Sequence, residues 1–280
     1  MIKIKDPKEF SSILKEFKTG KEKILSNCFL MPDEISSLID KGKLFVYQGK
    51  EWLIILCDRE DYYNFFYYTS ESSSTNEVKD FIKTVQDKEI FADIVTRSGR
   101  GDMITPEKLV SDGIAENYKK YQRMQLKLAE FEPSQLTVNV AEGYHLSLDY
   151  CDYENLSALW QESLDEKSTP LPNEAELKQL QNERHLYTIL DSNNELAGVI
   201  ILTVTGKQGL AQHLAVSPKH RRKGLAAALM TNTILSSKKE DLSVLRLWVD
   251  CKNSSAIALY DRLNYTLDGM LCEQLYMKGF

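Results

Sequence analysis

The chemistry-bearing residues of this 280-residue chain concentrate in Leu214-Ala215-Val216-Ser217-Pro218-Lys219-His220-Arg221-Arg222-Lys223-Gly224-Leu225-Ala226-Ala227-Ala228. A strand-like stretch turns at Pro218, a basic loop follows, and Gly224 opens an Ala-rich segment of high helix propensity. A helix start leaves about four backbone N–H groups unpaired and carries partial positive charge, so a pyrophosphate is well satisfied there. Gly224 permits close backbone approach, Ala226 and Ala227 leave room over the first turn, and Lys219, Arg221, Arg222 and Lys223 add long-range attraction. One glycine in a basic loop is also what an ordinary solvated turn looks like, so a second signal is needed.

That signal lies downstream. Leu245-Arg246-Leu247-Trp248-Val249-Asp250 reads as a strand, and Asn253 or Ser254 can cap a helix on which Ala256, Leu259 and Tyr260 share one face. Together the two segments resemble the GNAT superfamily of acyl-CoA-dependent N-acyltransferases, whose signature is Arg/Gln-x-x-Gly-x-Gly/Ala after a strand, followed by Asn-x-x-Ala-x-x-Leu-Tyr-x-x-x-Gly-Phe/Tyr. Arg221, Gly224 and Ala226 fit the first motif. Asn253, Ala256, Leu259, Tyr260 and Tyr265 fit the second, with Asn264 where glycine is usual, a residue that tolerates left-handed backbone. The resemblance covers residues 135 to 280.

It implies an α/β (α+β) fold, a mixed, mainly antiparallel twisted sheet flanked by helices, with acetyl-CoA or another acyl-CoA as cofactor. Pantetheine would enter between the fourth and fifth strands of the domain, which splay apart there. Its amides would meet the backbone of Leu214, Ala215 and Val216, with Asn253 and Ala256 beside the arm. The pyrophosphate would lie on the backbone of Arg221, Arg222, Lys223, Gly224, Leu225, Ala226 and Ala227. A primary amine would attack the acyl carbonyl directly, and Tyr260 would protonate the departing sulfur. A core tyrosine with its hydroxyl on a carbonyl is the plain alternative.

For the base, some family members use a glutamate on the fourth strand, but Gln208 to His213 holds no acid. That leaves His213, whose ordinary pKa near 6.5 suits the task, Asp250 at the end of the next strand, or a chain of waters. The acceptor, a small-molecule or peptide amine, is not legible. Two other readings compete: a non-catalytic acyl-CoA sensor, and an aminoacyl-tRNA-dependent transferase. The acidic balance and the complete CoA motif argue against the second.

The elements that must position these residues come in two similar series. In the first half, residues 6–17 and 32–41 have helical spacing, 43–48, 51–58 and 62–69 read as a three-strand meander, 76–87 as a helix and 89–96 as a strand. Arg97 to Gly101 is a turn, and Thr105 caps a helix with Pro106 at its first position. The second half repeats the order: strand 144–150, helices 153–164 and 173–182, strands 186–190, 196–203 and 209–216, helix 224–235, strand 244–250, helix 254–263 and two short closing strands. With a boundary near Glu132-Pro133-Ser134, the expected arrangement is a tandem of GNAT-like domains, 1–131 and 132–280.

The first copy reads as degenerate. Ser70-Glu71-Ser72-Ser73-Ser74-Thr75 stands in its phosphate-loop position without glycine or basic cluster, Gly99-Arg100-Gly101 follows the wrong strand, and Leu109 takes the place of the tyrosine. An unrelated α+β accessory domain is the alternative. The aromatic run Tyr62 to Tyr68 is expected at an interdomain contact or in the acceptor cleft.

Composition is an ordinary globular balance with enough apolar material for a sizeable core, 42% apolar and 27% charged residues. Thirty-five basic against 41 acidic side chains give a net charge of −6, without the basic footprint of a nucleic-acid binder. The longest apolar runs, Trp52–Cys57 and Leu196–Val204, fall well short of the roughly 18 residues of a membrane span. The N-terminal residues show no secretory signal, and five cysteines without a Cys-x-x-Cys pair suggest reduced thiols and no metal. A soluble cytoplasmic protein, monomer or homodimer, is the expectation.

Overall fold

The computed structural model describes residues 1–21, 23–85, 87–98, 100–131 and 138–278; Gly99 of the expected turn and the boundary residues Glu132, Pro133 and Ser134 lie outside them. Contacts divide the chain into two compact units, Met1–Tyr121 with Gly269–Phe280, and Gln122–Asp268. Where the sequence suggested one crossing near residue 132, the chain crosses between units twice.

The first series of elements is β1 (Ile2–Lys3), α1 (Pro7–Lys18), β2 (Leu25–Ser26), α2 (Pro32–Asp40), β3 (Leu44–Gln48), β4 (Leu53–Asp58), β5 (Tyr62–Thr69), α3 (Asn76–Lys83), β6 (Glu89–Arg97), α4 (Ile104–Ser111) and β7 (Ala115–Lys127). The second is β8 (Tyr144–Ser147), α5 (Tyr153–Ser163), α6 (Glu174–Asn182), β9 (Leu186–Asp191), β10 (Leu196–Thr205), β11 (Gln208–Val216), α7 (Leu225–Lys239), β12 (Val244–Asp250), α8 (Ser254–Arg262) and β13 (Thr266–Met277). From α1 to β7 and from α5 to β13, the order of helices and strands is the same, with β1 and β2 additional in the first half and β8 in the second. The final strand of each series is exchanged. Residues from Gln122 of β7 belong to the second unit, and residues from Gly269 of β13 to the first, where β13 pairs antiparallel with β6 from Ile90 to Arg97.

Each unit holds a mainly antiparallel sheet between two helical layers. In the first unit the strand order is β1-β3-β4-β5-β6-β13, with β2 added on β5; in the second it is β12-β11-β10-β9-β8. Strand β4 shows why both faces must be covered: Leu53, Ile55 and Cys57 join the core under α1 and α2, while Ile54 and Leu56 join the core under α3 and α4. A strand buried on both sides reads as a continuous apolar run because alternate residues feed opposite layers. The same holds for β10, where Val199 and Ile201 pack with Trp160 of α5, and Ile200 and Leu202 pack with α7.

Three local expectations change. The α4 helix begins at Ile104 rather than after Thr105, because the Asp102 carboxylate caps it, accepting from Ile104 N–H at 3.1 Å and Thr105 N–H at 2.9 Å. The two closing strands are one twelve-residue strand, β13. The aromatic run of β5 fills the first unit's own cores, Tyr63, Phe65 and Tyr67 on one face and Phe66 with Tyr68 on the other.

Candidate active site

All residues singled out for chemistry lie in the second unit. Strands β11 and β12 pair in parallel and, among the described residues, are in register at Gln208↔Val244, Gly209↔Leu245 and Leu210↔Arg246. Beyond that point no pairing joins the two strands among the described residues, in the region where the sequence placed a slot between Leu214–Val216 and the end of β12. Strand β11 also changes register against β10 in this region. Its pairing with β10 steps from Ile201↔Gln212 to Val199↔Ala215, so two residues, His213 and Leu214, face one, Ile200. That is a β-bulge, and His213 takes the left-handed conformation at φ 55°. The bulge is pinned from outside: Trp160 Nε1 donates to His213 O at 2.8 Å, and His213 Nε2 donates to Pro170 O at 3.0 Å.

Past β11 a 3₁₀ turn at Pro218–His220 leads into the basic loop, and Gly224 caps α7 at φ 76°. A Cβ on Gly224 would meet nothing within 4 Å, so glycine is required here for backbone conformation and leaves open space above it. The first bond into α7 is Ala228 N–H to Gly224 O at 3.0 Å. Among the described residues no acceptor takes the N–H groups of Arg222, Lys223, Gly224, Leu225, Ala226 and Ala227. Six open donors at the positive end of a fifteen-residue helix make a strong anion cradle.

The basic side chains divide by partner. Lys219 pairs with Glu195 at 2.9 Å, Arg221 Nε donates to Val216 O at 3.0 Å, and Lys223 donates to the Tyr144 hydroxyl at 2.6 Å. Tyr144 also meets His220 Nδ1 at 2.9 Å. Sequence reading missed this Tyr144–His220–Lys223 cluster, since its members are 76 residues apart and carry no spacing signal. Burial, then the neighbouring Lys219 charge, holds the His220 imidazole below its ordinary pKa.

Helix α8 presents the tyrosine. Its N-cap, Asn253, accepts from Ala256 N–H at 3.0 Å, which fixes the helix start two turns before Tyr260. Tyr260 is 7% exposed and packs in one cluster with Leu225, Ala228 and the half-buried Leu214, Val216, Ala226, Ala227 and Ala256. Its hydroxyl has no hydrogen-bond partner among the described residues, so the carbonyl-bonded alternative does not describe it. Burial alone pushes that hydroxyl up to about 12, so it stays protonated at neutral pH. His213 lies apart, its ring edge-on to Trp160 at 5.5 Å in the α5 layer. Its Nδ1 is buried with no partner among the described residues, and burial lowers its pKa. Asp250 Oδ1 accepts from Lys252 N–H at 2.8 Å, holding the turn into α8.

The model of the acetyltransferase (GNAT) family matches residues 153–265. These residues form a GNAT-family domain. The match spans α5 to α8 and includes the bulge, the cradle and Tyr260. The chain is similar to the [Ribosomal protein bS18]-alanine N-acetyltransferase of Escherichia coli strain K12, 34% identical over 85 residues, 30% of this chain and 57% of that protein. This chain therefore spans little more than half the length of that relative.

Fold similarity extends further than the GNAT-domain match. A tandem GNAT protein from the clavulanic acid biosynthesis pathway superposes with a TM-score of 0.62 at 12% identity, covering 96% of this chain and 95% of that one. A GCN5-related N-acetyltransferase from Sphaerobacter thermophilus gives 0.58 at 13% identity, covering 90% and 88%. Among the described residues no group of three or more His, Cys, Asp or Glu could hold a metal ion, and no helix is long and apolar enough to cross a membrane.

Proposed function

We propose that this chain is an N-acetyltransferase that moves an acetyl, or another acyl, group from acyl-CoA to a primary amine by direct attack. The observation that carries the reading is the conjunction of the β11/β12 divergence with six open N–H groups at the start of α7. One offers unpaired strand edges to the amides of an extended arm, and the other offers a cradle to its pyrophosphate.

In this reading the amine arrives from the α5 side of the slot, where His213 and Trp160 lie, and the thiolate leaves toward α8. The nitrogen lone pair attacks the carbonyl carbon, the tetrahedral intermediate collapses, and the carbon–sulfur bond breaks as Tyr260 gives its proton to sulfur. The proton lost by the amine goes to solvent water. Neither side-chain candidate offers itself as base: His213 commits Nε2–H to Pro170 and buries Nδ1, and Asp250 holds the turn.

The alternative of an acyl-CoA sensor is separated by turnover. Release of CoA from acetyl-CoA is measured with a panel of amines, beginning with a peptide bearing an N-terminal alanine, as the bS18-alanine relatives suggest. Turnover on at least one amine is expected. Saturable binding of acetyl-CoA with no CoA release on any acceptor would make the chain a sensor.

A further inference from the structure

The first unit carries the same strand divergence as the second. Its parallel strands β5 and β6 are in register, among the described residues, at Tyr62↔Glu89, Tyr63↔Ile90 and Asn64↔Phe91. Here the gap is filled. Strand β2 pairs with the far end of β5 through Leu25↔Thr69 and Ser26↔Tyr68. The next residue, Asn27, is 7% exposed and sets its carboxamide between the parted strands. Its Nδ2 donates to Phe65 O on β5 at 3.0 Å and to Asp93 O on β6 at 3.2 Å, while its Oδ1 accepts from Tyr67 N–H at 2.8 Å. Ser26 Oγ adds a bond to Tyr67 O at 2.7 Å. These are the strand-edge groups that an amide-bearing arm would need, and the chain's own amide already holds them.

The approach to α3 is acidic where that to α7 is basic. Ser74 N–H donates to the Glu51 carboxylate at 3.2 Å, Glu51 N–H donates to Glu77 Oε2 at 3.0 Å, and the Thr75 hydroxyl bonds to the Asp112 carboxylate. Three carboxylates, Glu51, Glu77 and Asp112, thus flank the start of α3, and a phosphate would meet their repulsion.

We infer that the first unit holds an acyl-CoA-type slot closed from within. The segment Leu25–Cys28 is its ligand, the Asn27 carboxamide takes the place of the arm's amides, and Glu51 takes the place of the anion. One chain then takes one acyl-CoA. Expelling the strap would leave Phe65 O, Tyr67 N–H and Asp93 O without partners in a buried setting, which opposes opening. The identity of the excluded ligand rests on the function proposed above; the closure itself does not.

Two measurements test this. Calorimetric titration with CoA is expected to give one equivalent per chain, and a Arg222→Glu/Lys223→Glu variant, which reverses charge only in the second unit's loop, is expected to bind at least tenfold more weakly. Two equivalents, or one equivalent of undiminished affinity in that variant, would overturn the inference. The second measurement needs no CoA: amide hydrogen exchange at Tyr67, compared among wild type, Asn27→Ala and the gentler Asn27→Asp, which keeps the acceptor but loses both donors. Exchange is expected to quicken at least tenfold at Tyr67 in Asn27→Ala and to change less in Asn27→Asp. Unchanged exchange in Asn27→Ala overturns the closure, while absence of CoA binding to wild type with quickened exchange overturns only the proposed function.

Discussion

A tyrosine that is to protonate a departing thiolate must stay protonated itself, reach the sulfur, and not be tied to another acceptor. Tyr260 meets the first and last requirements: burial pushes its hydroxyl up to about 12, and no described residue accepts from it. Removing that oxygen therefore costs the fold no hydrogen bond. Tyr260→Phe should lower kcat by about 10²–10⁴-fold, the usual worth of a positioned acid, with KM for acetyl-CoA and the unfolding temperature close to wild type. Steady-state kinetics on the best acceptor checks it, and equal loss in kcat and in affinity would instead make Tyr260 a packing residue. The neighbouring Tyr265 is no substitute. It is 2% exposed, its hydroxyl is buried with no partner among the described residues, and its ring lies 5.9 Å from that of Tyr260.

At the scale of elements, the site depends on where helices start. Helix α8 begins at the Asn253 cap, and its orientation carries Tyr260 into the cluster with Ala226 and Ala227. Asn253→Ala removes the bond to Ala256 N–H and should cost about 1 kcal/mol, seen as a lowered thermal midpoint, whereas Asn253→Asp keeps the acceptor and should restore it. Equal destabilisation by both would place the residue's worth elsewhere than in the cap.

The same scale explains what the sequence makes legible. Strand, loop and helix around Gly224, and the capped helix around Tyr260, are local: each is set by residues within a few positions of one another, and the structure has them where the motifs put them. Strand β2 has two residues and no periodicity to detect, yet it fills the first unit's slot. Strand β13 owes its place to Ile90–Arg97, over 170 positions away, so nothing near it announces that it crosses units. The left-handed His213 is likewise invisible, because a bulge exists only in the pairing of two strands.

For the whole molecule, the two units carry titrating groups of opposite sign. In the first, burial raises the Asp93 carboxyl to about 6, opposed by its hydrogen bond from Gln274. Its folded pKa lies above the unfolded value of about 3.9, so the folded state holds the proton more tightly, and this group's contribution to stability grows as pH falls through about 6. In the second unit burial lowers the His213 pKa, partly offset by its bond to Pro170 O. There the unfolded state takes the proton first, so the contribution is fully present above about 6.5 and is lost as pH falls through the lowered folded value. Substitution separates the two effects. Asp93→Asn should raise the thermal midpoint relative to wild type at pH 7.5, and that gain should shrink by pH 5. His213→Gln, which keeps a donor for Pro170 O, should lower the midpoint at pH 7.5, with the deficit narrowing at pH 5. Thermal unfolding of the three proteins across that range decides it: differences from wild type that move in the same direction with pH would show that the two groups do not titrate with opposite sign.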